Sequence, residues 1–243
     1  MTLFQSILIA LVEGLTEFLP ISSTGHMILA STAMGIHEDE FVKTFEVFIQ
    51  LGAILAIALM YIKRFFRSLT IYFKLITAFL PTAVVGFLAY DYIKAYLFNP
   101  IVVSVSLILG GIILIFIDKK VAAQGSTVVE VEDISYKNAF FIGLCQCLSM
   151  VPGTSRAAAT IIGGVFNGLD KRQATEFSFL LAVPTMLAAG GYDLLKADLA
   201  FTSEQLMLLG IGFVVAFASA WGAVKLFLTY VSTHGFTAFG WYR

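Results

Sequence analysis

Residues 13–26 read Glu13-Gly-Leu-Thr-Glu17-Phe-Leu-Pro20-Ile-Ser-Ser23-Thr-Gly-His26. They interrupt an apolar stretch, residues 2–36, with two carboxylates, a proline and, at Gly25, a glycine. A helix needs about 20 apolar residues to cross the hydrocarbon core. This one is broken before it can do so. Backbone of that kind survives at membrane depth only where protein buries it or where it lines a wet cavity. The stretch therefore predicts a re-entrant helix–loop–helix hairpin over 2–36.

A second stretch behaves the same way. Residues 138–169 are apolar but broken by Pro152, Gly153, Arg156 and Gly163-Gly164. Phe140–Val151, the run before the break, makes only about 18 Å of helix. That is too short to span, so a second re-entrant hairpin is expected.

The rest of the chain suits this setting. It has 243 residues, 59% hydrophobic and 13% charged, with 23 phenylalanines. Soluble domains are nearer about 45–50% apolar and about 25% charged. Spanning helices are expected near Thr44–Ile62, Leu75–Tyr92, Ile101–Ile117 and Leu206–Tyr230. A fifth, Ala174–Tyr192, carries Glu176 near one end and Pro184 inside. The fold class is thus an all-α polytopic membrane protein. A net charge of −1 argues against a nucleic-acid partner. Cys145 and Cys147 are expected to be packing residues, since a disulfide between them is strained and a metal site needs more ligands. No cleavable signal peptide is expected, because the N-terminus lacks a basic region.

Loop charges set the orientation. Nine basic residues fall in one set of loops: Lys63, Arg64, Arg67, Lys74, Lys119, Lys120, Lys137, Lys171 and Arg172. The alternate loops hold three, Lys43, Lys94 and Lys196, beside Glu38, Asp39, Glu40, Asp91, Asp193, Asp198 and Glu204. The basic loops are expected in the cytoplasm. The first hairpin then enters from the outer face and the second from the cytoplasm.

The hairpins also echo each other. Pro20-Ile-Ser-Ser23 matches Pro152-Gly-Thr-Ser155 at an offset of 132, and Thr44 matches Thr175 at 131. With opposed orientations this gives an inverted-topology repeat, with the site at the repeat interface. The division is 1–117, a polar cytoplasmic linker 118–137, and 138–243, the last ending one helix short of the first. A further echo, Pro81-Thr82 with Pro184-Thr185, has offset 103 and is set aside as coincidence.

The chemistry concentrates in the hairpins. Glu13 and Glu17 are one helical turn apart and share a face. A carboxylate at mid-bilayer costs on the order of 3 kcal/mol on insertion scales. The pair needs a cation, a proton or a polar cavity, unless it snorkels to the interface. Ser22, Ser23, Thr24 and Gly25 open a helix whose N-terminus suits an anion; the same string could simply cap that helix. His26 stands beside them. From the second hairpin come Thr154, Ser155 and Arg156. The planar fork of Arg156 suits a phosphate or carboxylate, and it could equally neutralise a glutamate. Glu46 and Gln50 place further polar atoms on a spanning helix. An acid/base pair, hydroxyl nucleophiles, an anion cradle and an arginine clamp together suit phosphoryl transfer on a lipid phosphate.

At these motifs the chain resembles the undecaprenyl-diphosphate phosphatase (bacitracin-resistance) family. Glu13–His26 is similar to its glutamate-rich signature and Pro152-Gly-Thr-Ser-Arg156 to its second. Thr44–Gly52 and Glu176–Pro184 resemble further family segments. The resemblance implies hydrolysis of undecaprenyl diphosphate to undecaprenyl phosphate and phosphate, in the bacterial cytoplasmic membrane. It implies a site open to the outer face and dependence on a divalent cation, magnesium or calcium; Glu13 and Glu17 are expected to bind that cation or to share a proton. It also implies six spanning helices where about five are counted here. The family follows Ser-Arg with Ser-Gly, whereas Ala157 and Ala158 stand here, so a hydroxyl is expected to be missing from the phosphate site. Expected partners are the polyprenyl diphosphate and membrane lipid, with a homodimer left open.

The expected mechanism has Ser22–Thr24, Ser155 and Arg156 hold the diphosphate. Ser23 or a water attacks, Glu17 is the base, and His26 is an acid or orients the loop. A transporter of the lipid phosphate is the alternative from the same repeat.

Overall fold

The computed structural model describes residues 1–66, 69–97, 99–122, 131–197 and 200–243. Arg67, Asp198 and the 123–130 part of the linker lie outside the described residues, as do the side chains of Lys94, Lys119 and Lys120. Among the described residues all regular structure is helical.

Capping chemistry starts the elements. Thr2 and Gln5 form a reciprocal capping box that opens α1, Leu3–Thr16. The helix stops after 14 residues, just before Pro20, whose ring disfavours helical backbone in the residue ahead of it. After a turn the chain restarts as α2, Ser23–Ala33. Asp39 caps α3, Glu40–Met60, which one further turn, α4 at Ile62–Phe65, follows. Next come α5, Leu69–Tyr96, with Pro81 inside, and α6, Pro100–Ala122.

Ser135 caps α7, Tyr136–Gln146, which tightens into a 3-10 turn at Cys147–Met150. Ser155 caps α8, Arg156–Phe166. Two more capping boxes, Asp170 with Gln173 and Thr202 with Gln205, open α9, Lys171–Lys196, and α10, Ser203–Thr233.

Five of these helices, α3, α5, α6, α9 and α10, are long and apolar enough to cross a bilayer. They fall on the five expected spans, and α1 and α8 are shorter apolar helices of 14 and 11 residues. One element was not anticipated. After α10 the chain turns at His234–Phe236 and runs back along α6 as a short helix, α11, Thr237–Tyr242.

Close approach of helix backbones holds the bundle together. A Cβ on Gly52 of α3 would strike the Phe213 carbonyl of α10, and one on Gly143 of α7 would strike the Ala78 carbonyl of α5. In lipid, where apolar surface gains nothing by leaving the solvent, such small-residue contacts are the main source of helix association. Phe18, Phe177, Phe179 and Phe227 fill the core between the short helices and the long ones.

The basic loops meet at one end. Arg64 pairs with Glu176 at 2.9 Å and Glu132 at 3.4 Å, and Lys171 with Asp118 at 2.5 Å. Lys74 donates to the Glu132 carbonyl. Glu176 therefore belongs to this ionic end, where Arg172 also binds it. Cys145 and Cys147 are free thiols, and Cys145 packs against Gly163.

Candidate functional site

Glu17 is the residue on which the two hairpins converge. It follows the last turn of α1, is 8% exposed, and its N–H still bonds the Glu13 carbonyl. Ser23, at the start of α2, donates to Glu17 Oε2. Arg156, at the start of α8, places Nη2 2.8 Å from Glu17 Oε1. One carboxylate thus takes a hydroxyl from the first hairpin and a guanidinium from the second.

The helix starts that deliver these side chains are alike. Ser22 and Ser155 both have φ of +71°, a left-handed conformation uncommon outside glycine. Each caps its helix through Oγ, Ser22 to the Gly25 N–H and Ser155 to the Ala158 N–H. Local capping therefore uses both serine oxygens as acceptors and takes up the Gly25 N–H, and the Ser155 hydroxyl donates to the Leu19 carbonyl at 3.5 Å. The N–H groups of Ser23 and Thr24 come before the first intrahelical bond and remain as anion donors.

Arg156 is held from several sides. Nη1 donates to the Ser178 carbonyl at 3.1 Å, and Ser178 Oγ accepts a 2.6 Å bond from Thr160. The guanidinium also lies 5.5 Å from the Phe18 ring centroid, over its face. Its Nε is buried with no hydrogen-bond partner, an unmet donor in the protein interior.

Both groups open into a cavity of about 470 Å³ between α5 and α9. Its polar floor holds Glu17, Ser22, Ser23, Thr24, Ser155 and Arg156, with Gln50 beside them. Its walls are Phe79, Ala83, Phe87, Met150, Met186 and Ala189, and Tyr90, Tyr192 and Asp193 stand at the end away from the ionic cluster. Such a space fits an amphiphile with an anionic head and an apolar tail.

The remaining expected residues lie elsewhere. Glu13 is fully buried one turn behind Glu17 and does not line the cavity. Gly25, His26, Glu46 and Thr154 also stay outside the lining. The His26 Nδ1 is 2.8 Å from the Ser22 carbonyl and its Nε2 is 3.0 Å from the Tyr242 hydroxyl. Ala157 and Ala158 are packed in the protein interior, so position 157 presents nothing to the cavity.

The sequence reading missed a second polar cluster. Gln146 Nε2 donates to Thr82 at 2.9 Å and to Thr185 at 3.3 Å, and both threonines line the cavity. The Pro-Thr echo that looked accidental marks the places where α5 and α9 face each other.

Both oxygens of Glu13 are buried without a hydrogen-bond partner. Glu13, Glu17 and Arg156 together carry one excess negative charge, so a cation or proton belongs with them. Among the described residues no three His, Cys, Asp or Glu side chains converge on one ion position. A hard divalent ion that uses one or two carboxylates plus phosphate oxygens fits this donor set.

This is a polytopic membrane protein with a buried carboxylate–guanidinium site under an apolar cavity. Residues 6–243 match the model of the bacitracin resistance protein BacA family. The whole chain aligns with curated proteins named undecaprenyl-diphosphatase. It is 50% identical to one from Wolinella succinogenes and 47% to one from Aquifex aeolicus, covering 94% and 95% of those proteins. A third, from Bdellovibrio bacteriovorus, is 48% identical with 92% covered. The chain belongs to the BacA family.

Proposed function

We propose that this chain hydrolyses undecaprenyl diphosphate to undecaprenyl phosphate and inorganic phosphate, recycling the lipid carrier of the cell wall and conferring bacitracin resistance. The observation that carries this is the shared Glu17 carboxylate, with Ser23 on one oxygen and Arg156 on the other, at the base of an apolar cavity.

The diphosphate head binds at the free Nε–H of Arg156 and the N–H groups of Ser23 and Thr24, while the polyprenyl tail lies along α5 and α9. Ser23 Oγ passes its proton to Glu17 and attacks the terminal phosphorus. The bond from that phosphorus to the bridging oxygen breaks, and undecaprenyl phosphate leaves. Water then hydrolyses the phosphoserine, releasing phosphate. A placed base of this kind is worth about 10²–10⁴-fold. Arg156 stabilises charge on the phosphoryl oxygens in a dry site, where such contacts are strongest. His26 holds the Ser22 carbonyl and so orients the loop.

Glu13 and Glu17 would hold the divalent cation, magnesium or calcium. That ion supplies neutralisation of phosphate charge and of the excess carboxylate.

The membrane is the bacterial cytoplasmic membrane, and the cavity opens to its outer face. Support comes from the chain ends of α5 and α9. Lys74 and Lys171 lie toward the ionic end, whereas Tyr90 and Asp193 at the cavity lie toward the other. The two short hairpins are re-entrant and belong to opposed repeats, which their matching left-handed serine caps support.

The test is phosphate release from a polyprenyl diphosphate in detergent micelles by the purified protein. Magnesium-dependent release, lost in Arg156→Ala, is expected. A protein that moves the carrier across vesicles but releases no phosphate would overturn the proposal.

A further inference from the structure

We propose that Arg243 is a positioning residue for this reaction, a pin that sets the spacing between the two hairpin loops. α11 brings it there. Its guanidinium enters beside α6 at Gly110, where a Cβ would overlap Nη2, and α11 rests on Gly111, where a Cβ would meet the Gly240 carbonyl.

Every one of its five N–H donors meets a main-chain carbonyl. Nη1 bonds Pro20 and Thr154, both at 3.1 Å. Nη2 bonds Gly153 at 2.6 Å and Ser106 at 3.2 Å, and Nε bonds Leu107 at 3.3 Å. Pro20 and Gly153 each stand two residues before a left-handed serine, Ser22 and Ser155. The same side chain therefore grips corresponding carbonyls of both loops and ties them to α6. The neighbouring Tyr242 adds a second hold on the first loop through His26 and the Ser22 carbonyl.

With all five donors taken by neutral carbonyls, no N–H is left for a phosphate. Arg243 acts through the loops and does not bind the substrate. Only a rigid fork reaches carbonyls on three segments at once; a lysine, with three donors at a single point, does not. The loops carry Ser23 and Arg156, so slack between them separates the nucleophile from the clamp. A displacement of about 1 Å costs on the order of 10²-fold in rate.

The inference rests on the hydrolysis reading for its kinetic readout, so the experiment has a second readout that does not need activity. Arg243→Lys, Gly110→Ala and Gly191→Ala are purified in detergent. The last is a control in open space. Phosphate release from a polyprenyl diphosphate gives kcat and KM, and amide hydrogen exchange is followed at residues 20–26 and 153–159. Arg243→Lys and Gly110→Ala are expected to lower kcat by about 30–100-fold with KM changed less than about threefold, and to speed exchange in both loops. Unchanged exchange in both loops overturns the proposal, as does a raised KM with kcat retained, which would make Arg243 a substrate ligand. If the unmodified protein releases no phosphate, the hydrolysis reading fails and the exchange data still decide the pin.

Discussion

Ser23 and Arg156 each follow a serine with φ of +71°, and each binds a different oxygen of the Glu17 carboxylate. They are the first helical residues of α2 and α8, so a hydroxyl and a cation fill corresponding places in two similar loop–helix joints. In the proposed mechanism Glu17 is base for one and counter-ion for the other. Arg156 pairs with the carboxylate inside the protein, and the Ser23 hydroxyl holds its other oxygen.

Arg156→Ala removes the clamp and leaves Glu17 without its cation. Phosphate release is expected to fall below detection, and Arg156→Lys to lose about 10²–10³-fold, because a point charge does not reproduce the planar fork. Colorimetric phosphate assays on the purified variants check this. Arg156→Lys with near-normal kcat would remove the geometric argument.

Ser23→Ala is expected to abolish turnover, and Ser23→Cys to trap a slow or dead phosphoenzyme. Rapid quenching of the unmodified protein with radiolabelled substrate should capture label on residue 23. Turnover retained in Ser23→Ala would point to direct attack by water.

Ser22 and Ser155 are constrained by backbone more than by chemistry. Glycine accepts φ of +71° at no steric cost, so Ser155→Gly is expected to change stability by less than about 0.5 kcal/mol. Ser155→Val, which loses the cap and strains the backbone, is expected to cost about 2–4 kcal/mol. Thermal unfolding in detergent separates the two. Equal losses would show that the side chain matters more than the conformation.

Glu13→Gln keeps the volume and removes one charge. Half-maximal activity is expected to need at least about tenfold more magnesium, since one of two carboxylate donors is gone. A metal titration of initial rates measures it. An unchanged titration curve would place the ion elsewhere.

Gly86→Trp places a bulky ring in the cavity between α5 and α9, among its apolar walls. KM for a long-chain diphosphate is expected to rise about tenfold or more, while hydrolysis of a short-chain analogue is spared. Equal loss on both substrates would mean that the tail lies outside this cavity.

The hydrophobic runs, Pro20 and Pro152 made the helices and their breaks readable from sequence. The carboxylate–guanidinium pair was readable because isolated charges in apolar runs require partners. The register between the hairpins was not. Matching letters pairs Ser23 with Ser155 at an offset of 132, whereas the left-handed caps pair Ser22 with Ser155 at 133. The second loop has one more residue between proline and cap, and Gly153, with φ of +91°, absorbs it. Residue type does not reveal which serine is capping. The Gln146 cluster was missed because its partners are single polar residues on separate helices, with no spacing to announce them. Arg243 lies in a short segment with no periodicity, and only the tertiary path of α11 brings it to the loops.

The shared Glu17 carboxylate also orders events during biosynthesis. A ribosome that has inserted only the first hundred residues has made Glu17 and Ser23, the proposed base and nucleophile, but not Arg156. The growing polypeptide therefore cannot attack carrier lipids as it emerges, and competence arrives only once Arg156 has been translated and folded against Glu17.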